Sequence, residues 1–368
     1  MSSTELPGQA HTVIIGAGAV GSSVAYHLSE LGAEDIVVLD QGPLPVTGGS
    51  SVHAPGIMFQ TSPSKIQTKT AYYTSRLLSD AGVYDEVGGI EVARSEQRMD
   101  FLQRRVEWAK SYGLPNPTLL SPSEVSDRLP LVDSSEILGG YYSPTDGRVD
   151  GIAALEWYRE HTNGRFFGHT QVIDLETDKQ SITRVITDRG NIECERCVIA
   201  TNNWGYQTAQ LADIDLPIAP VEHQYVVTEP LTELSNERST IGNNTTGLEI
   251  PGNRDIQEVM SEGPTLPVGR DQDNSLYFRT HGNSIGLGSY NHESLSVDPD
   301  EMGTNSADEQ ASVNPFTPKH WEQPTHPNRE KSAQEAFETL LPAVEDQGYM
   351  EWHFRLYSRW NASAWTTR

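Results

Sequence analysis

The sequence has few cysteines and no long apolar run, and both shortages exclude classes of protein. Of its 368 residues two are cysteines, Cys194 and Cys197, which are too few for a disulfide framework. No run approaches the roughly 18 apolar residues that a membrane-spanning helix needs. Residues 1–12 lack the basic and apolar stretches of a signal peptide. We therefore expect a cytoplasmic protein without a membrane partner.

Basic residues are also scarce. The chain has 26 Lys and Arg against 51 Asp and Glu, which gives a formal net charge of −25. Such a charge repels phosphate backbones and therefore excludes nucleic acid as a partner. Because dissolved salt screens the repulsion between acidic groups, the composition favours a protein from a halophile, the alternative being an ordinary acidic protein.

The first 40 residues have the pattern of a dinucleotide-binding unit. A short apolar strand, 12–15, leads into the motif G-x-G-x-x-G, whose glycines are Gly16, Gly18 and Gly21. A helix is expected to follow until Gly32, and a second strand, 36–39, runs into Asp40. The apolar face of this helix should comprise Val20, Val24, Leu28 and Leu31.

Each part of this pattern has a task in binding a dinucleotide. Gly16 permits a tight turn, Gly18 lets a pyrophosphate approach the backbone, and Gly21 lets the helix pack close to the strand. The N–H groups at the start of the helix bind phosphate, and Asp40 can accept hydrogen bonds from ribose hydroxyls. Strand, glycines, helix, strand and acid in this order predict a dinucleotide site, with a tight turn without ligand as the alternative.

A loop of small residues follows, and it separates flavin from nicotinamide. It runs Gly48-Gly49-Ser50-Ser51-Val52-His53-Ala54-Pro55-Gly56. The loop resembles the G-G-S-x-x-H-A-P-G segment of the amine-oxidising flavoproteins, the family of dimethylglycine oxidase, dimethylglycine dehydrogenase and sarcosine dehydrogenase. The resemblance implies FAD as the cofactor, bound covalently through His53, with Gln41, Gly49 and Ser50 also at the cofactor. The alternatives are a loop histidine that hydrogen-bonds the backbone and an NAD-dependent dehydrogenase.

The resemblance also implies a fold that combines α/β and α+β parts. We expect a Rossmann-like FAD-binding domain, 8–90 and 145–215, which lacks its last segment. A discontinuous substrate domain, 91–144 and 216–348, should be built on a mostly antiparallel sheet. The pair of cysteines has no second pair, which predicts ordinary packing and no metal site.

Amine oxidation by a flavin requires a neutral amine, since an ammonium group has no lone pair to donate. Histidine titrates in the right range to take up this proton. The resemblance places such a residue at His223, before Gln224-Tyr225-Val226, and an assisting tyrosine at Tyr277. A sheet histidine and a core tyrosine are the alternatives. Arg279 would share a sheet face with Tyr277 in a regular strand and could bind a substrate carboxylate, although a surface ion pair is the expected role.

The implied reaction is oxidative demethylation of a small N-methylated amino acid, of the dimethylglycine or sarcosine type. Tetrahydrofolate becomes a partner only if a C-terminal folate-binding region exists elsewhere, because this chain has no room for one. The tail, 349–368, departs from the family pattern. We therefore expect a frameshift near residue 349, and an inactive truncated remnant is the alternative.

Overall fold

The structure is a computed structural model that describes residues 5–178, 181–222, 225–235, 264–290, 295–296, 332–345, 349–350 and 357–360. At residues 53, 222, 235, 295–296, 349–350 and 357–360 it describes the backbone alone. The helices are α1 (Ala19–Glu30), α2 (Ser50–His53), α3 (Lys65–Asp80), α4 (Glu96–Tyr112), α5 (Pro122–Arg128), α6 (Gly151–Glu160), α7 (Gly205–Gln210), α8 (Thr232–Ser235) and α9 (Ala333–Leu340).

The strands are β1 (Gln9–Ile15), β2 (Ile36–Leu39), β3 (Ile57–Met58), β4 (Tyr84–Asp85), β5 (Gly89–Ala93), β6 (Thr118–Leu120), β7 (Gly139–Ser143), β8 (Gly147–Val149), β9 (Arg165–Phe167), β10 (Val172–Asp178), β11 (Ser181–Thr187), β12 (Gly190–Ile199), β13 (Ile218–Glu222), β14 (Tyr225–Thr228), β15 (Val268–Asp271), β16 (Leu276–His281), β17 (Ser284–Ser289), β18 (Leu295–Ser296), β19 (Tyr349–Met350) and β20 (Tyr357–Trp360). Among the described helices none is long and apolar enough to cross a bilayer.

The first sheet has six strands in the order β10-β11-β12-β1-β2-β9. Strands β12, β1, β2 and β9 are parallel, while β10 and β11 extend the sheet in antiparallel fashion. Along β1, Val13 and Ile14 point to opposite faces and both are fully buried. Burial on both faces is what a parallel sheet requires, which explains the apolar run read in the sequence. The free cysteines Cys194 and Cys197 lie on β12. Cys194 is part of an apolar core of this sheet, and Cys197 packs against that core.

The buried face of α1 differs from the expected one. Val20 is 66% exposed and Leu31 is 84% exposed, whereas Gly21 and Ala25 are buried. A Cβ atom on Gly21 would collide with the carbonyl oxygen of Gly16. Val24 and Leu28 pack against the core as expected. The close approach of helix and strand turns small residues inward beside them, so apolar spacing alone misplaced Val20 and Leu31.

The second sheet has eight strands in the order β19-β14-β17-β16-β15-β5-β7-β6. All neighbouring pairs are antiparallel except β15 and β5, which are parallel. One face packs against α5 and α9, in a core that includes Val125, Phe278, Leu287 and Phe337. Together the two sheets confirm the expected combination of a Rossmann-like α/β part with a mostly antiparallel one.

A small ribbon lies against the opposite face of the eight-stranded sheet. Its strands are β3, β8 and β4, and β3 begins four residues after His53. Ile57 of β3 packs against Tyr225, Val227 and Tyr277, which lie on β14 and β16. The ribbon therefore brings the small-residue loop and the antiparallel sheet together. The remaining strands β18, β13 and β20 form a separate three-stranded sheet.

Candidate functional site

The glycine motif forms a tight turn at the carboxyl end of β1. Gly16 has a φ angle of +103°, which L side chains rarely adopt, and a Cβ atom there would press on the backbone of Ala200 after β12. Gly18 caps α1, and a Cβ atom on Gly18 would lie 3.0 Å from Ser51 Oγ. The start of α1 is therefore held close to the carboxyl edge of parallel strands, where open α/β sheets bind ligands.

Asp40 lies next to this turn at the end of β2. Its Oδ2 accepts a hydrogen bond from the backbone N–H of Ala17 and its Oδ1 accepts one from Gly42, each at 2.8 Å. Burial raises the pKa of Asp40 to about 6, although both N–H groups oppose the rise. Each carboxylate oxygen retains a further lone pair, so the group remains able to accept from a ribose hydroxyl. Gln41 follows and is partly buried.

The small-residue loop covers the start of α1. Gly49 caps α2 in an extended conformation, and Ser51 Oγ accepts a hydrogen bond from the Ala19 N–H at 2.9 Å. Ser50 Oγ accepts hydrogen bonds from Asn202 Nδ2 at 3.0 Å and from Asn203 Nδ2 at 3.4 Å. The sequence interpretation missed all three of these contacts. The one signal for them was the polar turn that directly follows a strand of the parallel sheet.

The residues around this edge fit a dinucleotide cofactor. The glycine turn offers backbone without side chains, the start of α1 offers N–H groups, and Asp40 offers acceptors. The indole Nε1–H of Trp204 is buried and has no hydrogen-bond partner among the residues that the structure describes. The His53 side chain, the expected point of covalent attachment, lies outside what the structure describes.

The second half of the candidate site lies on the eight-stranded sheet, on the face that the ribbon covers. Tyr277, Arg279 and His281 alternate along β16, whose pairing with β17 runs in unbroken register from Leu276 to His281. All three are buried, as is Tyr225 on β14. The expected catalytic residue Tyr277 thus shares this face with three polar side chains, which the sequence interpretation did not assign to catalysis. His223 and Gln224 lie outside the described residues.

Hydrogen bonds connect the polar groups on this face. The hydroxyl of Tyr225 lies 2.8 Å from His281 Nε2, and the Nε–H of Arg279 points to the same nitrogen at 3.2 Å. Burial raises the pKa of Tyr225 to about 12, against the opposing effect of the Arg279 charge. Burial, and then the charges of Arg279 and Arg148, hold the pKa of His281 well below its usual value.

The structure corrects the expected role of Arg279. It forms no ion pair with a described residue, and its side chain is buried beside Tyr225 and His281 instead of at the surface. Regular alternation in β16 is the reason, since it places every second residue on the face under the ribbon. Burial lowers the pKa of Arg279.

Comparisons with known proteins agree with this geometry. The family model described as FAD dependent oxidoreductase matches residues 11–357. The chain is 32% identical over 252 residues to the mitochondrial pyruvate dehydrogenase phosphatase regulatory subunit of Mus musculus, which covers 65% of this chain and 28% of the relative. It is 28% identical over 316 residues to the mitochondrial dimethylglycine dehydrogenase of Homo sapiens, which covers 82% of this chain and 33% of the relative. The chain thus spans about a third of the length of these curated relatives.

A solved structure with the same fold is that of L-proline dehydrogenase from P. horikoshii. The two chains superpose with a TM-score of 0.70 at 20% identity, over 96% of this chain and 81% of the other. The family match excludes the alternative of an NAD-dependent dehydrogenase and makes FAD the cofactor. Since the match covers nearly the whole sequence, this chain belongs to the family of FAD-dependent oxidoreductases that comprises amine and amino-acid oxidases and dehydrogenases.

Proposed function

We propose that this protein oxidises a small N-methylated amino acid, of the dimethylglycine or sarcosine type, and removes its methyl group. One observation carries the proposal, namely the packing of Ile57 against Tyr277 and Tyr225. Ile57 lies four residues after His53, so the ribbon brings the cofactor loop to the face that bears the expected catalytic tyrosine. The proposed flavin site and the proposed substrate face would thereby adjoin.

The glycine turn and Asp40 would hold FAD, which when bound would supply the oxidant for removal of a hydride equivalent from the carbon next to the amine nitrogen. The protein has to keep the amine neutral, because only the free base has a lone pair to stabilise the developing iminium. We assign proton acceptance to His223 and a supporting hydrogen bond to Tyr277. Water then adds to the iminium, which yields formaldehyde and the demethylated amino acid.

The cofactor is proposed to be held by Gly16, Gly18, Gly21, Asp40, Gln41, Gly49 and Ser50, with His53 as the covalent link. The contacts of Ser50 with the two asparagines after β12 support this assignment, because they fix the loop over the start of α1. A loop fixed in this way would hold the His53 backbone at one position relative to the glycine turn.

The test begins with purified protein loaded with FAD in high salt and incubated with N,N-dimethylglycine or sarcosine and an artificial electron acceptor. We expect acceptor reduction together with stoichiometric formaldehyde. After acid precipitation the yellow chromophore should stay with the polypeptide, and His53→Ala should release it. Retained flavin without formaldehyde from either amine would contradict the proposed substrate class.

A second candidate is a flavin-binding protein without turnover. The similarity to a regulatory subunit favours it. Both candidates predict bound FAD, and they differ in the reduction of that flavin. Anaerobic addition of N,N-dimethylglycine should bleach the flavin absorbance of an enzyme and leave that of a regulatory protein unchanged.

A further inference from the structure

Strand β17 carries two alternate glycines, Gly286 and Gly288, on the face under the ribbon, and Tyr290 follows directly after the strand. The spacing of two residues continues, so Tyr290 is the first side chain on this face beyond the glycines. Its backbone N–H donates a hydrogen bond to the carbonyl oxygen of Ser275 at 3.0 Å, which extends the pairing of β17 with β16 by one residue. Tyr290 therefore lies at the end of the space that the two glycines leave for the rings of neighbouring strands.

Tyr290 contacts the expected catalytic residue Tyr277 through its ring and through its hydroxyl group. The two ring centroids are 5.3 Å apart, and the ring planes are inclined by 38°. A hydrogen bond joins the two side chains. The ring of Tyr225 lies at a centroid distance of 6.0 Å from the same residue, so Tyr277 packs against two tyrosine rings.

The two members of this hydrogen bond differ in exposure. Tyr277 is 9% exposed, whereas Tyr290 is 48% exposed. A buried phenol hydroxyl needs a partner within the protein, while an exposed one can bond to water. The hydrogen bond between them therefore serves the buried hydroxyl of Tyr277, which it holds in one orientation.

We propose that Tyr290 is a positioning residue, whose hydroxyl orients the phenol group of Tyr277 toward the amine of the substrate. This inference rests on the proposed function and adds a residue that acts through Tyr277 without contact to the reacting atoms. A phenol oxygen has one proton and two lone pairs, so a hydrogen bond to Tyr290 leaves Tyr277 able to form a second one with the amine. The first bond fixes the direction of the second.

The first test is a double-mutant cycle on the flavin-loaded protein, with Tyr277→Phe, Tyr290→Phe and the variant that carries both. Each replacement removes a hydroxyl group and keeps the ring, so the packing is preserved. With N,N-dimethylglycine, Tyr290→Phe should lower kcat by about 3- to 10-fold, as for the loss of one neutral hydrogen bond, with little change in KM. In the Tyr277→Phe background the same replacement should have no further effect, because it acts through Tyr277.

The matched control is Tyr112→Phe, which removes the hydroxyl of a tyrosine on α4 that donates to the carbonyl oxygen of Pro63 at 3.2 Å. This variant should keep the kcat and KM of the wild type. A loss in Tyr290→Phe that adds to the loss in Tyr277→Phe would show that the two residues act separately and would overturn the inference. A higher KM at unchanged kcat would also overturn it, since Tyr290 would then bind the substrate itself.

Fluorine NMR separates this inference from the proposed function, because it requires no turnover. In protein that contains 3-fluorotyrosine in place of tyrosine, the signal of Tyr277 is the one that Tyr277→Phe removes. We expect Tyr290→Phe to shift this signal and Tyr112→Phe to leave it in place. A shifted signal without any amine oxidation would refute the proposed function alone. Amine oxidation with a Tyr277 signal that Tyr290→Phe does not move would refute the inference alone.

Discussion

The rings of Tyr225 and Tyr277 lie nearly parallel on the face under the ribbon, with centroids 6.0 Å apart and planes inclined by 11°. They come from β14 and β16, which flank β17. The rings have room because β17 carries Gly286 and Gly288 opposite them, and a Cβ atom on either glycine would collide with a tyrosine. The two glycines thus determine where the phenol groups lie.

Replacing Gly288 by alanine should therefore displace the Tyr277 ring. The added methyl group enters a filled space, and overpacking of this kind costs about 1–3 kcal/mol of unfolding free energy. We expect a kcat at least tenfold lower in Gly288→Ala, with FAD content retained. Gly8→Ala is the control, because a Cβ atom there meets nothing within 4 Å. A Gly288→Ala variant with normal kcat would refute the role of the Tyr277 ring.

The glycine turn makes a second prediction. Gly16→Ala places a Cβ atom against the backbone of Ala200 and forces a rare φ angle on alanine. Gly32 has a φ angle of +82° but open space around it, so Gly32→Ala imposes similar strain without the clash. We expect Gly16→Ala to lose most of its flavin, measured as the ratio of absorbance at 450 nm to 280 nm. Gly32→Ala should keep its flavin, and equal losses in both variants would point to strain alone.

Glu91 is the counter-charge of a buried arginine cluster. Its side chain is fully buried and pairs with Arg105, with Arg270 Nε at 2.6 Å and with Arg98 Nη1 at 3.5 Å. Glu91→Gln leaves the arginines buried without their shared carboxylate, which should lower the unfolding free energy by about 3–5 kcal/mol. Urea denaturation would measure the loss. Glu176→Gln, which breaks a surface pair with Arg184, should cost less than about 1 kcal/mol.

Asp146 should make stability depend on pH. It is buried and accepts the Gln60 N–H at 2.9 Å, and burial raises its pKa from 3.8 to about 6. The folded state holds the proton of the Asp146 carboxyl group more tightly than the unfolded state. The contribution of this proton to the unfolding free energy is therefore fully present below pH 4 and is lost as the pH rises through 6. Between these limits the unfolding free energy of the wild type should fall by about 3 kcal/mol through this group. Asp146→Asn cannot titrate at this position and should not show that fall.

Urea denaturation at pH 4, 5, 6 and 7 measures this difference. The exposed Asp188 provides the control, since Asp188→Asn should follow the wild-type pH profile. Parallel profiles for the wild type and Asp146→Asn would contradict the assignment of the titrating proton to Asp146.

Local patterns made much of the fold predictable. The apolar spacing within residues 96–112 predicts one helix, and α4 has these bounds. The run Ser121-Pro122-Ser123-Glu124 has the pattern of a capping box with proline at the first helical position, and α5 begins there. The runs 275–279 and 284–290 on either side of His281-Gly282-Asn283 predict a hairpin, and β16 and β17 form it. These features depend on residues close together in the chain, whose spacing and capping chemistry are visible in the sequence.

The candidate site was predictable only in part. The resemblance implied a role for Tyr277, which stays a prediction, and the burial of Arg279 on the same sheet face was not expected, because the sequence does not state which sheet face is covered. The contacts of Ser50 with Asn202 and Asn203 were also missed, since they join residues more than 150 positions apart. Such contacts depend on the order of strands in a sheet.

By itself the sequence determined a dinucleotide-binding unit, because the glycine turn and the strand-ending acid are local requirements of dinucleotide binding. The resemblance of the small-residue loop to a family of flavoproteins then implied FAD. The tertiary structure decided which distant groups meet. It placed Ile57 against Tyr277, and it left Arg279 buried without a described carboxylate. The physical reason is that the period of a strand sets the face of each side chain, whereas only the packing of one sheet against its neighbours sets what that face meets.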